Sequence, residues 1–97
     1  MINRRRIEGI LKRHKQELKQ KFKIKELGLF GSYLRGEQNR RSDIDILVDF
    51  EETPGLLQFV AMERYLSELI DKKVDLVMKS ALKPRIGRRI LEEVVYI

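Results

Sequence analysis

Two aspartates one residue apart, Asp43 and Asp45, open the apolar run Ile44-Asp45-Ile46-Leu47-Val48-Asp49-Phe50, which reads as a buried strand. Residues i and i+2 of a strand share a face, so the two carboxylates aim the same way and repel unless a cation lies between them. Magnesium suits such a pair, because it takes oxygen ligands and is usually held by one or two carboxylates together with substrate phosphates. A phosphate grip is in reach. Ten residues separate Asp43 from the Phe30-Gly31-Ser32 end of an apolar approach, where glycine lets the backbone come close to a ligand and serine offers a hydroxyl beside exposed N–H groups. A third acid, Asp75, lies in the short apolar run Val74-Asp75-Leu76-Val77-Met78. A lone carboxylate inside a buried strand is costly, and the metal pair is its natural partner; the alternative is a solvent-facing strand aspartate. Asp49, Glu51 and Glu52 are set aside, since Asp49 lies roughly 13 Å beyond Asp45 along an extended strand.

Gly31-Ser32, ten residues, then Asp43-x-Asp45 resembles the signature of the polymerase-beta-type nucleotidyltransferase superfamily. The finer string Gly31-Ser32-x-x-Arg35-Gly36, followed by Ser42-Asp43-Ile44-Asp45-Ile46-Leu47-Val48, resembles its smallest branch, the minimal nucleotidyltransferases, which pair as antitoxins with HEPN-domain toxins. The resemblance implies ATP as substrate and Mg2+ held by Asp43, Asp45 and Asp75, the three catalytic acids, with Asp75 as the third acid on the next core strand. It also implies that Gly31 and Ser32 seat the phosphates, that Arg35 lies near the nucleotide, and that AMP passes to a tyrosine of the HEPN toxin within a hetero-oligomer. A guanidinium at Arg35 can fork onto phosphate, and the competing reading is a surface ion pair with Glu37. Polymerases and tRNA-terminal enzymes of this superfamily need further domains to hold nucleic acid, so direct nucleic-acid binding is not expected. A reading from another class is a non-catalytic basic module that neutralises a partner, or contacts RNA, by binding alone. Clustered acids with no cation argue against it.

The whole-chain figures set limits on these readings. Ninety-seven residues are expected to form one domain, 1–97, with a single core. The absence of cysteine removes disulfide and thiol chemistry, and with one histidine it removes the usual zinc sites. No apolar run approaches the roughly 18 residues of a membrane span, and a cytoplasmic protein is expected. A formal charge of +6 suits a nucleotide, a nucleic acid or an acidic protein partner without choosing among them.

The elements that must position the acids follow from periodicity. Ile7, Ile10, Leu11, Leu18 and Phe22 recur at helical spacing after a plausible N-cap, Asn3, and leave a basic outer face that includes Arg4, Arg5 and Arg6. His14 falls on the apolar stripe and reads as a packed histidine. Ile24 to Phe30 is the first strand, with Gly28 marking a bulge, and Ser32 to Gly36 a brief helix. Ser42 should brace the turn into the second strand. After Thr53-Pro54-Gly55, a second long helix runs from Leu56 to Ile70, with Leu57, Val60, Tyr65, Leu66, Leu69 and Ile70 as its core side. Val74 to Met78 is the third strand, and Lys83-Pro84 begins a last amphipathic helix through Glu93 with Ile86, Ile90, Leu91 and Val94 inward. The apolar tail Val94-Val95-Tyr96-Ile97 should be buried against the chain's own helices or in a partner. The expected fold is α/β (α+β), ordered α-β-α-β-α-β-α, and the resemblance implies that its small sheet is mixed.

Overall fold

The computed structural model describes residues 2–97. Helix α1 (Arg4–Phe22) begins where the Asn3 side chain accepts a hydrogen bond from the Arg6 N–H and ends at Lys23 in the left-handed conformation. Strand β1 (Ile24–Phe30), the one-turn helix α2 (Ser32–Arg35) and strand β2 (Ile44–Phe50) follow, then α3 (Leu56–Ile70), β3 (Val74–Met78) and α4 (Pro84–Glu93). These are the expected elements in the expected order. The sheet is mixed, ordered β3-β2-β1-β4, with β1 antiparallel to both its neighbours and β2 parallel to β3.

Strand β4 (Val95–Tyr96) was not anticipated. The tail expected to be buried lies along β1 as an edge strand, with Val95 and Tyr96 partly exposed, and the Ile97 N–H donates to the Leu27 carbonyl at 2.8 Å. Two residues carry too little periodicity to announce a strand; the pairing is decided by the open edge of β1. Gly28 gives room for it. A Cβ there would press on the Val94 and Tyr96 side chains, so the glycine serves a close approach rather than a bulge. The irregularity in β1 falls instead between Ile24 and Glu26. It explains why that strand alternates poorly: Ile24 and Leu27, three residues apart, both enter one core.

That core has one side. Ile7, Leu11, Leu18 and Phe22 of α1 and Met62, Leu66 and Ile70 of α3 meet Leu27, Leu29, Ile44, Ile46, Val48, Val74 and Leu76 of the sheet. Since Ile44, Ile46 and Val48 face the helices, the intervening residues of β2, Asp45, Leu47 and Asp49, face the other way. Helices α1 and α3 thus cover one face, and the second carries Asp45 together with the buried Leu47 and Phe30.

The helices are less enclosed than their periodicity suggests. Leu57 is 87% exposed and Val60 49%, so the inward side of α3 starts at Phe59 and Met62, not at Leu57. In α4 only Gly87 is buried, while Ile86 (64% exposed) and Leu91 remain open to solvent. Helical spacing marks an apolar stripe without saying how far the neighbouring layer extends, and here the sheet ends before the stripes do. His14 is half-buried with Nδ1 at 2.9 Å from the Ile10 carbonyl, and Tyr65 packs edge-on to Phe22 while its hydroxyl donates to Glu17. Arg4 pairs with Glu8 at 2.6 Å. No helix among the described residues is long and apolar enough to cross a membrane.

Candidate functional site

The parallel pairing of β2 with β3 sets Asp45 opposite Asp75. Paired residues of adjacent strands project from the same face, so the two carboxylates stand side by side on the face of the sheet turned away from α1 and α3. Asp43 lies two residues before Asp45 at the mouth of β2, half-buried, with Lys73 Nζ 3.7 Å from its Oδ2. The turn leading into it is braced as expected: the Ser42 Oγ accepts from the Asn39 N–H at 2.9 Å. Asp75 is exposed, which corrects the premise that it is an acid inside a buried strand; β3 is covered by α3 on one side alone. Its adjacency to Asp45 comes from strand register, not from a need for shelter.

Electrostatics single out Asp45. Partial burial, then the charges of Asp75 and Asp43, push its carboxyl up to about 6 from an ordinary 3.8, while Arg35 opposes the shift and Glu93 adds to it. Three acids gathered on one face with an elevated pKa between them have the hard oxygen donors that a small divalent cation takes. Among the described residues no three acids already converge as a closed metal cage. Asp49 pairs across to Glu26 at the other end of β2 and takes no part.

Gly31 joins the acids to the turn expected to grip phosphate. Phe30 is the β1 partner of Asp45, so the next residue turns over the carboxylate. Gly31 adopts φ +80, and a Cβ there would overlap the Asp45 side chain. Both conditions demand glycine. Ser32 then opens α2, half-buried, with its carbonyl taking the N–H groups of Gly36 and Glu37 in a left-handed close.

Arg35 is engaged on two sides. Its Nε lies 2.8 Å from Glu37 Oε1, the surface pair weighed from the sequence, and its Nη1 lies 2.5 Å from Glu93 Oε1. Glu93 was not anticipated. It is the last residue of α4, and its second oxygen, Oε2, accepts from the Gly31 N–H at 2.8 Å. Burial works against the charge of Glu93, but the Gly31 N–H and the Arg35 guanidinium outweigh it and hold the carboxyl below its usual value. Nothing local to Glu93 could have announced this. It reads as an ordinary acid on a charged helix, and only the return of α4 across the end of β1 brings it to the glycine.

Comparison with known proteins bears on the family and the fold. A family profile described as a nucleotidyltransferase domain matches residues 11–97. Over all 97 residues the chain is 54% identical to the protein adenylyltransferase MntA of Thermococcus cleftensis and covers 98% of it. Among solved structures it is similar to a chain assigned as a minimal nucleotidyltransferase, with a TM-score of 0.73 and 33% identity over 95% of this chain and 89% of that one. It is similar also to a chain of a toxin–antitoxin structure containing AMP-PNP, with a TM-score of 0.75 and 27% identity over 88% of this chain and 69% of that one. A chain from the complex of a tri-AMPylated Shewanella oneidensis HEPN toxin with its MNT antitoxin shares the fold, with a TM-score of 0.70 at 21% identity over 93% of this chain and 70% of that one.

Proposed function

The chain belongs to the nucleotidyltransferase-domain family, among its minimal members, and is a nucleotidyltransferase; we propose that it transfers AMP from ATP, with Mg2+, to a tyrosine hydroxyl of a HEPN-domain toxin and so serves as that toxin's antitoxin. The observation that carries this reading is the register of β2 and β3. It sets Asp45 beside Asp75, with Asp43 two residues before Asp45 and Gly31 turned against Asp45. The 54% identical MntA, a protein adenylyltransferase, supports a protein as acceptor.

Asp43 and Asp45 would hold the Mg2+, and the bound ion would neutralise charge on the triphosphate and on the departing pyrophosphate. Gly31 and Ser32 seat the β- and γ-phosphates, which fixes the α-phosphorus in front of the acids. Asp75 stands outermost. Its exposed carboxylate completes the cation set or accepts the proton of the incoming hydroxyl as the new oxygen–phosphorus bond forms and the bond to the pyrophosphate oxygen breaks. The open face imposes little shape on the acceptor, which suits a side chain presented by a separate protein. The three acids work as a unit, so losing two should remove transfer rather than halve it. The test is AMP transfer by Asp43→Ala/Asp45→Ala under conditions where the parent chain is active. Loss of transfer without a fall in melting temperature is expected, and undiminished transfer would overturn the assignment.

A further inference from the structure

Resting on the reading of Gly31 and Arg35 as phosphate ligands, we propose that Glu93 is a built-in occupant of the phosphate seat, which the triphosphate displaces when it binds. Both of its oxygens are committed. Oε2 takes the Gly31 N–H at 2.8 Å and Oε1 takes Arg35 Nη1 at 2.5 Å. These two donors come from the glycine turn and from α2, and a phosphate oxygen has the same use for them as a carboxylate oxygen. One anion excludes the other, because a phosphate brought to the same donors would face the Glu93 charge at contact distance.

The surroundings make the exchange feasible. A cavity of about 680 Å³ opens beside Gly31 between Phe30, Arg35, Ile86 and Arg89, with Glu93 in its wall. Arg89 lies on that cavity as an exposed cation. Helix α4, which carries Glu93, buries only Gly87, so a rotation of this side chain does not unpack a core. Glu93 also adds to the repulsion on Asp45, and its departure relieves the acids as the nucleotide arrives. The carboxylate therefore keeps the glycine turn and Arg35 in position in the empty chain at the expense of affinity for nucleotide.

The experiment is calorimetric titration of Mg2+ with AMP-PNP into the full chain and into Glu93→Gln, Glu93→Ala, Arg35→Ala and Arg35→Ala/Glu93→Ala, each checked by thermal melting. Glu93→Ala should bind roughly tenfold more tightly than the parent, the scale of one charge-assisted hydrogen bond discounted for solvent, with Glu93→Gln between them. In the Arg35→Ala background the gain should shrink, since one of the two contested donors is already gone. If Glu93→Ala melts too early to titrate, the near-isosteric Glu93→Gln decides. Weaker or unchanged binding by the Glu93 variants, with the parent chain binding normally, would overturn the proposal and leave Glu93 as a structural tie. Failure of every variant and of the parent to bind would refute the phosphate-seat reading itself, and the proposal with it.

Discussion

Replacing Asp75 by Asn should stabilise the chain while removing its activity. Asp45 is pushed up to about 6 from 3.8, a displacement of about 2 units, or about 3 kcal/mol as an upper bound before solvent screening. Burial supplies the largest share and the charges of Asp75 and Asp43 follow, so removing the Asp75 charge should recover about 1 kcal/mol. On a domain of this size that is a rise in melting temperature of about 4–8 °C. The sign with pH is fixed by the direction of the shift. A carboxyl raised in the folded state favours folding while it is protonated, below 3.8, and that contribution is lost as the pH climbs through about 6. The parent chain in chelator should therefore lose stability between these values, and Asp75→Asn should lose less. The assay is thermal unfolding by circular dichroism, in chelator, at a pH above 6 and again near 4, comparing the difference between the two proteins at each. Added Mg2+ should then raise the melting temperature of the parent more than that of the variant. A lower melting temperature for Asp75→Asn above pH 6, or a difference that does not shrink on acidification, would refute the claim that Asp45 and Asp75 repel each other across the strands.

Other consequences follow from the same geometry. Gly31→Ala places a methyl in the Asp45 carboxylate at a positive φ, so about 1–2 kcal/mol of backbone strain plus the overlap should lower the denaturation midpoint, and nucleotide binding should fall with it; calorimetry and urea unfolding read the two losses. Mg2+-dependent nucleotide binding should weaken as the pH falls below about 6, where Asp45 takes a proton, and titrations across that range should show the loss. Leu66→Ala, at a fully buried position between α3 and the sheet, should cost about 2–5 kcal/mol in urea unfolding, whereas Leu57→Ala, on the same helix but exposed, should change stability by less than about 0.5 kcal/mol.

The acids and the glycine turn were legible because their chemistry depends on types at fixed spacing: Gly31, Ser32, Asp43 and Asp45 fall where a strand, a turn and a second strand put them regardless of the remaining packing. The reason that puts Asp75 beside Asp45 is not the one its sequence suggests. An acid in an apolar run reads as buried and in need of a cation, yet Asp75 is exposed, and what brings it to Asp45 is a parallel register that no local pattern encodes. Glu93 was illegible for the same cause on a larger scale, since its hydrogen bond to Gly31 spans 62 positions of sequence and depends on where a loosely packed helix ends. Leu57 and Val60 fall on the helical period yet stay exposed. An amphipathic stripe reports which side of a helix is apolar, and only the extent of the sheet beneath decides which turns are covered.

The central claim, that the Asp43–Asp45–Asp75 face moves AMP onto a partner protein, is tested most directly by weighing that partner. The chain is incubated with ATP, Mg2+ and its cognate HEPN-domain toxin, and the toxin is analysed by intact-mass spectrometry with tandem fragmentation. The account predicts that the toxin gains mass in whole AMP units on tyrosine, that its activity falls in step, and that Asp43→Ala/Asp45→Ala produces neither change. A toxin silenced without any gain in mass, or modified equally well by the double variant, would contradict it.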